Sequence, residues 1–259
     1  MISELVACVK TAGIDYLLPL LNKVKRRKKL DNSIVTAADL AVDKFISQFL
    51  SQRWPEIGLL SEEMSADTRA RQFKLDTVKM WCLDPLDGTT NFAAGAPYFA
   101  ISLALINKNR SELAIVYDPV RDECFTAVRD QGAQLNGEPI DNINLPTQLS
   151  QAIANIDFKR LDDARAQQVI SNPVYYSQRN YGACALEFCW LATGRIHLYL
   201  HGGMKLWDYA AGSFILTEAG GAHCTLEGGP IFNTESQKSS VVAASSVILF
   251  DQWKNYLSS

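Results

Sequence analysis

A short run about one third of the way along the chain, Trp81–Phe92, constrains the fold more than any other segment of the 259 residues. Apolar residues lead up to Asp84 and Asp87, which stand three residues apart. Pro85 lacks an N–H and stiffens the turn, whereas Gly88 lets the backbone approach a ligand closely. A strand that ends here would deliver both carboxylates to the carboxyl edge of a sheet, where open α/β proteins bind ligands. The run therefore predicts a buried strand that ends in an acidic turn.

Thr89 and Thr90 follow this turn and are expected to begin a helix, whose free N–H groups can hold a phosphate. Mg²⁺ prefers oxygen ligands and commonly shares them with a substrate phosphate, so the run favours metal-assisted phosphoryl transfer. One alternative is a pair of surface turns, Asp-Pro followed by Asp-Gly. A haloacid-dehalogenase-type phosphatase is a second alternative, but it needs two Asp residues only two positions apart.

Hydrophobic periodicity divides the chain into two parts. In the first, helical spacing begins at Ile2, and Thr36–Asp39 has the capping-box pattern that begins a second helix. Strand-like runs follow at 57–60, 80–83, 98–106 and 113–117, with a hairpin turn at 136–137. Later strands are predicted at 152–156, 174–178, 196–200 and 241–244, and helices at 162–170, 183–192, 208–219 and 247–257. The pattern predicts an α+β sub-domain of residues 1–145 and an α/β sub-domain of residues 146–259, joined near 141–150.

Charge and composition exclude several classes of protein. Twenty-five Lys and Arg residues against 28 Asp and Glu give a net charge of −3, which argues against a general nucleic-acid or membrane-surface binder. The uncharged stretch 92–107 is too short and too polar for a membrane helix, and no signal-peptide pattern opens the chain. We therefore expect a cytoplasmic protein. The basic run 23–29 is interpreted as a solvated helix end, with an anion-attracting loop near a phosphate site as the alternative.

Cysteine and histidine usage argues against a zinc site. The six cysteines include no C-x-x-C pair, which is typical of reduced, mostly buried thiols in a cytosolic protein. His197 and His201 lie on a strand-like run, where they would be about 13 Å apart and unable to share one ion.

Two further acidic segments complete the pattern. Ser61-Glu62-Glu63 follows a predicted strand, and Trp207-Asp208 begins a predicted helix. Each alone is more commonly a solvated strand end or a helix N-cap. Together with the Asp84–Phe92 run, they give the chain a close resemblance, from Asp39 to about Gly221, to the inositol monophosphatase family of magnesium-dependent, lithium-sensitive phosphatases. The resemblance implies a layered α-β-α-β-α sandwich of the inositol monophosphatase/fructose-1,6-bisphosphatase type, usually assembled as a homodimer.

The resemblance also implies a site for two or three Mg²⁺ ions. Glu62, Asp84 and the backbone carbonyl of Leu86 are the expected ligands of the first ion. Asp84, Asp87 and Asp208 are the expected ligands of the second, so that Asp84 bridges both. Glu62 is also expected near a third, weaker ion.

Catalytic and substrate-binding roles are implied in the same way. Thr89, held by Asp39, is expected to act with Glu62 to activate a metal-bound water for in-line attack. This gives Asp39 a role beside the capping box, and Glu63 is expected to support the site without touching the ion. Gly88 and Thr89 are expected to present N–H groups to the phosphate. The expected substrate-binding residues are Asp87, Gly88, Thr89, Thr90, Cys184, His201 and Asp208.

Two departures from the family pattern bear on the substrate. His201 stands where inositol-hydrolysing members have Glu, seven residues before the Trp-Asp aspartate, and Gly182-Ala183-Cys184 replaces Gly-Ser/Thr-Ala. His201 either contacts the substrate or merely caps the strand 196–200. We expect hydrolysis of a small phosphomonoester resembling inositol 1-phosphate, with a sugar bisphosphate, a 3′-phosphonucleotide or histidinol phosphate as alternatives. A non-enzymatic regulatory or RNA-polymerase-binding role is less favoured, because it has little use for a full set of metal carboxylates.

Overall fold

The structure is a computed structural model. It describes residues 1–23, 27–28, 34–65, 67–69, 79–108, 110–141, 144–232 and 238–258, with the backbone alone at 27–28 and 34–35. Most of the basic run 23–29 lies outside the described residues. Within the described ranges, no helix combines the length and apolar character needed to cross a bilayer. All six cysteines are described, carry free thiols and are buried except for Cys184, which is partly exposed, as predicted.

Helices and strands alternate along the chain. The helices are α1 (Ile2–Ala12), α2 (Ala37–Arg53), α3 (Thr89–Ala94), α4 (Asp163–Ser171), α5 (Cys184–Ala192), α6 (Leu206–Tyr209), α7 (Gly212–Glu218) and α8 (Val247–Ser258). The strands are β1 (Arg27–Lys28), β2 (Ile34–Val35), β3 (Gly58–Ser61), β4 (Lys79–Asp87), β5 (Ala100–Asn107), β6 (Arg110–Asp118), β7 (Glu123–Val128), β8 (Ala133–Leu135), β9 (Glu138–Pro139), β10 (Ile153–Asp157), β11 (Ser177–Arg179), β12 (Leu198–Met204), β13 (Ala222–Cys224) and β14 (Ser239–Ala244).

Three of the predicted elements differ clearly in the structure, and strands β7 and β13 were not predicted. The helix predicted at 208–219 is divided into α6 and α7, and α7 begins at Gly212, where a Cβ would lie 2.7 Å from the Cβ of Phe188. The strand predicted at 174–178 is shorter and begins later, since residues 177–179 pair with β10, whereas Tyr175 packs its ring against Trp253. The strand predicted to end at residue 200 continues to Met204.

The strands form two large sheets. The seven-stranded sheet has the order β3-β4-β5-β6-β7-β8-β9, in which β3 is parallel to β4 and the remaining neighbours are antiparallel. The five-stranded sheet has the order β11-β10-β12-β14-β13, with β10 parallel to both of its neighbours. The strands of the first sheet end by residue 139 and those of the second begin at residue 153. The division into sub-domains at 145/146 stays a prediction.

Helices and sheets alternate in five layers, which confirms the predicted α-β-α-β-α sandwich. α1 and α2 cover one face of the seven-stranded sheet, where Leu5 and Val42 pack in the same cluster as Trp81. α5 and α7 lie between the sheets, and their apolar side chains contact both. α4 and α8 cover the outer face of the five-stranded sheet, where Trp253 is fully buried. Each large apolar side chain buried in these layers contributes roughly 1.5–3 kcal/mol.

Candidate active site

The carboxyl ends of β3 and β4 bring the first two acidic residues together. Ser61 pairs with Leu83 in the parallel register, and the Glu62 amide donates to the Leu83 carbonyl over 3.1 Å. Glu62 therefore lies beside Asp84, as parallel strands end at the same edge of a sheet. Asp84 is only 2% exposed, and its Oδ1 accepts from the Leu86 amide at 3.0 Å.

A bulge in β4 places Asp87 on the same side as Asp84. Asp84 pairs with Ser102 and Asp87 with Ala100, so three steps along β4 match two along β5. Without the extra residue, side chains three apart would point to opposite faces of the sheet. Pro85 suits this position because a bulge leaves one residue without its ladder hydrogen bond.

Gly88 turns the chain from β4 into α3. Its φ of +88° is in the left-handed region, and a Cβ there would lie 3.0 Å from the Ala183 Cβ and 3.1 Å from the Tyr98 carbonyl oxygen. Any other residue would be strained and crowded at this position. Thr89 and the exposed Thr90 then begin α3, where the first N–H groups have no acceptor within the helix.

Asp39 serves the capping box and Thr89 at the same time. Its Oδ2 accepts from the Thr36 amide at 2.9 Å and from the Thr36 hydroxyl at 2.6 Å, which confirms the predicted capping box. Its Oδ1 accepts from the Thr89 hydroxyl at 3.1 Å. Burial raises the pKa of Asp39, and the hydrogen bonds from Thr36 and Thr89 oppose the rise.

Asp87 and Asp208 approach the same edge from different directions. Asp87 is 7% exposed and caps α5, accepting from the Cys184 amide at 3.1 Å and the Ala185 amide at 2.7 Å. Asp208 stands in the first turn of α6, where its Oδ2 accepts from the Lys205 amide at 2.8 Å.

The carboxylates of Asp84, Asp87 and Asp208 bring several negative charges together where burial limits their solvation. Burial, followed by the charges of Glu62, Asp87 and Asp208, raises the pKa of Asp84 well above its ordinary value. Burial and the charges of Asp208 and Glu187 do the same for the pKa of Asp87. Burial and Glu62 raise the pKa of Asp208 to about 6. A divalent cation would relieve this repulsion, and an all-oxygen donor set fits Mg²⁺.

The acidic side chains of the site are also hydrogen-bonded to the backbone. Among the described residues, no group of three or more His, Cys, Asp or Glu side chains is placed to hold an ion. Asp84, Asp87 and Asp208 direct oxygens at the backbone amides of Leu86, Cys184, Ala185 and Lys205. Metal binding requires these carboxylates to turn or to use their remaining lone pairs. The predicted ligand set, including the Leu86 carbonyl that accepts from the Thr89 hydroxyl at 3.0 Å, stays a prediction.

His201 lies inside β12, opposite Asp157 of β10, and is 3% exposed. Its Nδ1 accepts from the Gly203 amide at 3.1 Å, so the neutral ring carries its proton on Nε2. Nε2 lies 3.4 Å from Asp157 Oδ2. Burial would raise the pKa of Asp157, but the hydrogen bond from His201 and the charge of Arg160 lower it overall. Direct contact of His201 with a substrate stays a prediction, and it would require one of these contacts to be given up.

Sequence reasoning missed three residues that organise this edge. Arg69 donates to the carbonyls of Glu62 at 2.8 Å and Met64 at 2.6 Å, and no spacing in the sequence identifies it. Asn91 donates to the carbonyls of Tyr98 and Tyr181, and its position inside the Asp84–Phe92 run was an available signal. Glu187 is a carboxylate buried in α5, and no spacing in the sequence identifies it.

Comparisons of the sequence and of the structure with known proteins agree on one protein family. The sequence profile of the inositol monophosphatase family matches residues 5–256. Nus factor SuhB of Haemophilus influenzae is 34% identical over 231 residues, which are 87% of this chain and 83% of that protein. The structure of the extragenic suppressor protein SuhB of Bartonella henselae superposes with a TM-score of 0.85 at 27% identity, covering 99% of this chain and 97% of that one. An IMPase/NADP phosphatase complexed with Mg²⁺ and phosphate superposes with a TM-score of 0.84 at 24% identity, covering 98% and 94%; that likeness concerns the fold alone.

Proposed function

The chain belongs to the inositol monophosphatase family, and on that premise we propose that it is a Mg²⁺-dependent phosphatase that hydrolyses a small phosphomonoester by attack of water. The observation that carries the proposal is the hydrogen bond between Thr89 and Asp39 beside the cluster of acidic side chains at the end of β4.

The Thr89 hydroxyl has one proton and two acceptors, Asp39 Oδ1 at 3.1 Å and the Leu86 carbonyl at 3.0 Å. Its proton is therefore directed into the protein, and an oxygen lone pair is available to accept a hydrogen bond from a water. Proton transfer from that water to Thr89, coupled to transfer from Thr89 to Asp39, would prepare the water for attack on phosphorus. Glu62 is the second carboxylate that we expect to orient the water.

The phosphate is expected at the turn between β4 and α3. Gly88 brings the backbone close, and the first amides of α3, including that of Thr89, can donate to phosphate oxygens. Thr90 is exposed at the same helix start. The substrate's remaining groups would then lie toward Cys184 and His201.

The donor set supports metal binding by this chain. Glu62, Asp84, Asp87, Asp208 and the Leu86 carbonyl would hold the ions, two or three in number. Bound Mg²⁺ supplies Lewis-acid stabilisation of the phosphoryl oxygens and lowers the pKa of a coordinated water. The raised pKa values of Asp84 and Asp208 favour this assignment, because a site that repels its own charges gains most from a cation.

We propose an inositol-1-phosphate-like substrate, with a sugar bisphosphate, a 3′-phosphonucleotide or histidinol phosphate as alternatives. His201, in a place where inositol-hydrolysing members carry Glu, keeps these alternatives open. We further expect a cytoplasmic homodimer, and light scattering of the purified protein would test its oligomeric state.

A second candidate is a regulatory role outside catalysis. It is favoured by the name of the curated relatives, Nus factor SuhB, which are 34–35% identical to this chain. Binding to the transcription machinery is the form of this role that we would test. The two roles are compatible, since a surface contact needs none of the carboxylates described above.

The decisive experiment measures phosphate release by the purified protein from a panel of phosphomonoesters, with Mg²⁺ and with excess chelator. We expect turnover of at least one phosphomonoester that requires Mg²⁺. Absence of Mg²⁺-dependent turnover across inositol 1-phosphate, fructose 1,6-bisphosphate, a 3′-phosphonucleotide and histidinol phosphate would refute the phosphatase and leave the regulatory role.

A further inference from the structure

We infer that Glu187 is a positioning residue, which holds the loop that orients Asp87 and so sets the affinity of the site for its divalent cation. The inference rests on the proposed function, because it concerns the same metal site. Glu187 stands in the first turn of α5 and is 2% exposed, and the chemistry proposed above does not use it.

The Glu187 carboxylate connects the loop before α5 to strand β12. Its Oε1 accepts from the Gly182 amide at 2.7 Å and from the Tyr181 amide at 3.2 Å, at the entry to α5. Its Oε2 accepts from the Tyr199 hydroxyl at 2.5 Å, on β12. Burial, followed by the neighbouring Cys184 and Glu187 side chains, raises the pKa of Tyr199, so its hydroxyl keeps the proton that it donates. One buried carboxylate therefore connects the backbone before α5 to β12.

The next amides along this turn hold Asp87. The Cys184 and Ala185 amides donate one hydrogen bond to each Asp87 oxygen. Glu187 therefore accepts from the amides of residues 181 and 182 before α5, and Asp87 accepts from those of residues 184 and 185 at the start of the helix. Hydrogen bonds to an ionised carboxylate are short and directional, so a loop released by Glu187 would no longer hold Asp87 in one orientation.

Charge adds to the geometric effect. Among the described residues, Glu187 forms no ion pair with a Lys or Arg side chain. Its charge also contributes, after burial and Asp208, to the raised pKa of Asp87. A buried carboxylate without a cation is costly to keep, and here it strengthens the negative field that a metal ion would meet.

The test uses full-length protein with Glu187→Ala, which removes every contact, and Glu187→Gln, which keeps the shape and one acceptor. The matched control is Glu218→Gln, because Glu218 also accepts from two amides, of Gly132 at 3.0 Å and of Asp130 at 3.3 Å, at the turn between β7 and β8. Calorimetric titration with Mg²⁺ alone gives the Kd, thermal unfolding gives Tm, and kinetics over a range of Mg²⁺ concentrations separate kcat from KM.

We expect Glu187→Ala to weaken Mg²⁺ binding about 10- to 100-fold, with activity partly recovered at high Mg²⁺. Glu187→Gln should lose less, and Glu218→Gln should keep the wild-type Kd within about twofold. If both Glu187 variants bind Mg²⁺ like the wild type while Tm falls, Glu187 supports only the fold and the inference is wrong. If Glu187→Ala does not fold, the Kd of Glu187→Gln provides the test. A wild type that fails to bind Mg²⁺ would overturn the proposed function and this inference together.

Discussion

The Thr89 hydroxyl donates to Asp39 across fifty residues of sequence, over 3.1 Å, and the same carboxylate caps α2 through Thr36. One buried side chain therefore links the start of a helix on the outer layer to the turn that follows β4. The two oxygens of Asp39 serve different partners, Oδ1 for Thr89 and Oδ2 for Thr36. Substitutions at different residues can therefore separate the effect of Asp39 on stability from its effect on catalysis.

Asp39→Asn is expected to lower kcat by about 100-fold or more, because an amide cannot accept the proton relayed through Thr89. KM should change little, since Asp39 does not face the substrate. Steady-state kinetics at saturating Mg²⁺ measure both. Thr36→Ala is the control: it should cost about 1 kcal/mol of stability through the lost cap while kcat falls far less. Equal losses of kcat in both variants would show that Asp39 acts only through the helix cap.

Asp84→Asn is expected to remove nearly all turnover, because both proposed metal positions lose a charged ligand. Phosphate release from the best substrate of the panel measures the effect, with circular dichroism to confirm the fold. Near-normal hydrolysis by this variant, or equal wild-type activity in excess chelator, would contradict the metal-dependent mechanism.

Asp208→Asn is expected to stabilise the metal-free protein at pH 7.5. The pKa of Asp208 is about 6 when folded, against an ordinary value of 3.8, so the folded state binds the proton more tightly than the unfolded state. Its charge therefore costs stability above pH 6, and the cost disappears as the pH falls from about 6 toward 4. We expect a gain on the order of 1 kcal/mol, reduced from the full shift because Asp208 is partly exposed.

Thermal unfolding in chelator measures this gain, with the exposed Asp251→Asn as the control. Mg²⁺ should raise the Tm of the wild type and have much less effect on Asp208→Asn, since a ligand stabilises only the state that binds it. A metal-free Asp208→Asn protein that is less stable than the wild type at pH 7.5 would refute the prediction.

Inositol 1-phosphate should be a poorer substrate here than for relatives with Glu at position 201. Hydrogen bonds to a charged group contribute about 1.5–3 kcal/mol, so the loss of one in the transition state costs roughly ten- to a hundredfold in kcat/KM. His201→Glu alone would place a carboxylate opposite Asp157, where like charges repel. The informative variant is therefore Asp157→Asn/His201→Glu, which should gain about tenfold in kcat/KM on inositol 1-phosphate. No gain on this substrate and no loss on any other would mean that His201 does not read the substrate.

Li⁺ is expected to inhibit the enzyme at a metal position that involves Asp87 and Asp208. The expectation comes from the resemblance to lithium-sensitive phosphatases. Phosphate release is measured in LiCl and in NaCl of equal concentration, so that ionic strength is matched. Identical activity in the two salts would show that this member is insensitive to Li⁺.

Much of the fold could be read from the sequence, because its strongest signals are local. The capping box at Thr36–Asp39 and the strand leading to Asp84 depend on neighbours within a few residues, and both are confirmed. The break between α6 and α7 was missed because it depends on how closely Gly212 approaches Phe188, a residue of another helix.

By itself, the sequence determined the residue types of an acidic, oxygen-rich site and the helical or strand character of the segments that carry them. Only the tertiary structure decided how those side chains are held. The β4 bulge places Asp87 on the same side of the sheet as Asp84. Amides at the start of α5 donate to both Asp87 oxygens, and His201 lies beside Asp157. Glu187 is held by a hydrogen bond from Tyr199 of β12. The physical reason is that hydrogen bonds and burial act between residues adjacent in space, whereas periodicity and capping report only on neighbours along the chain.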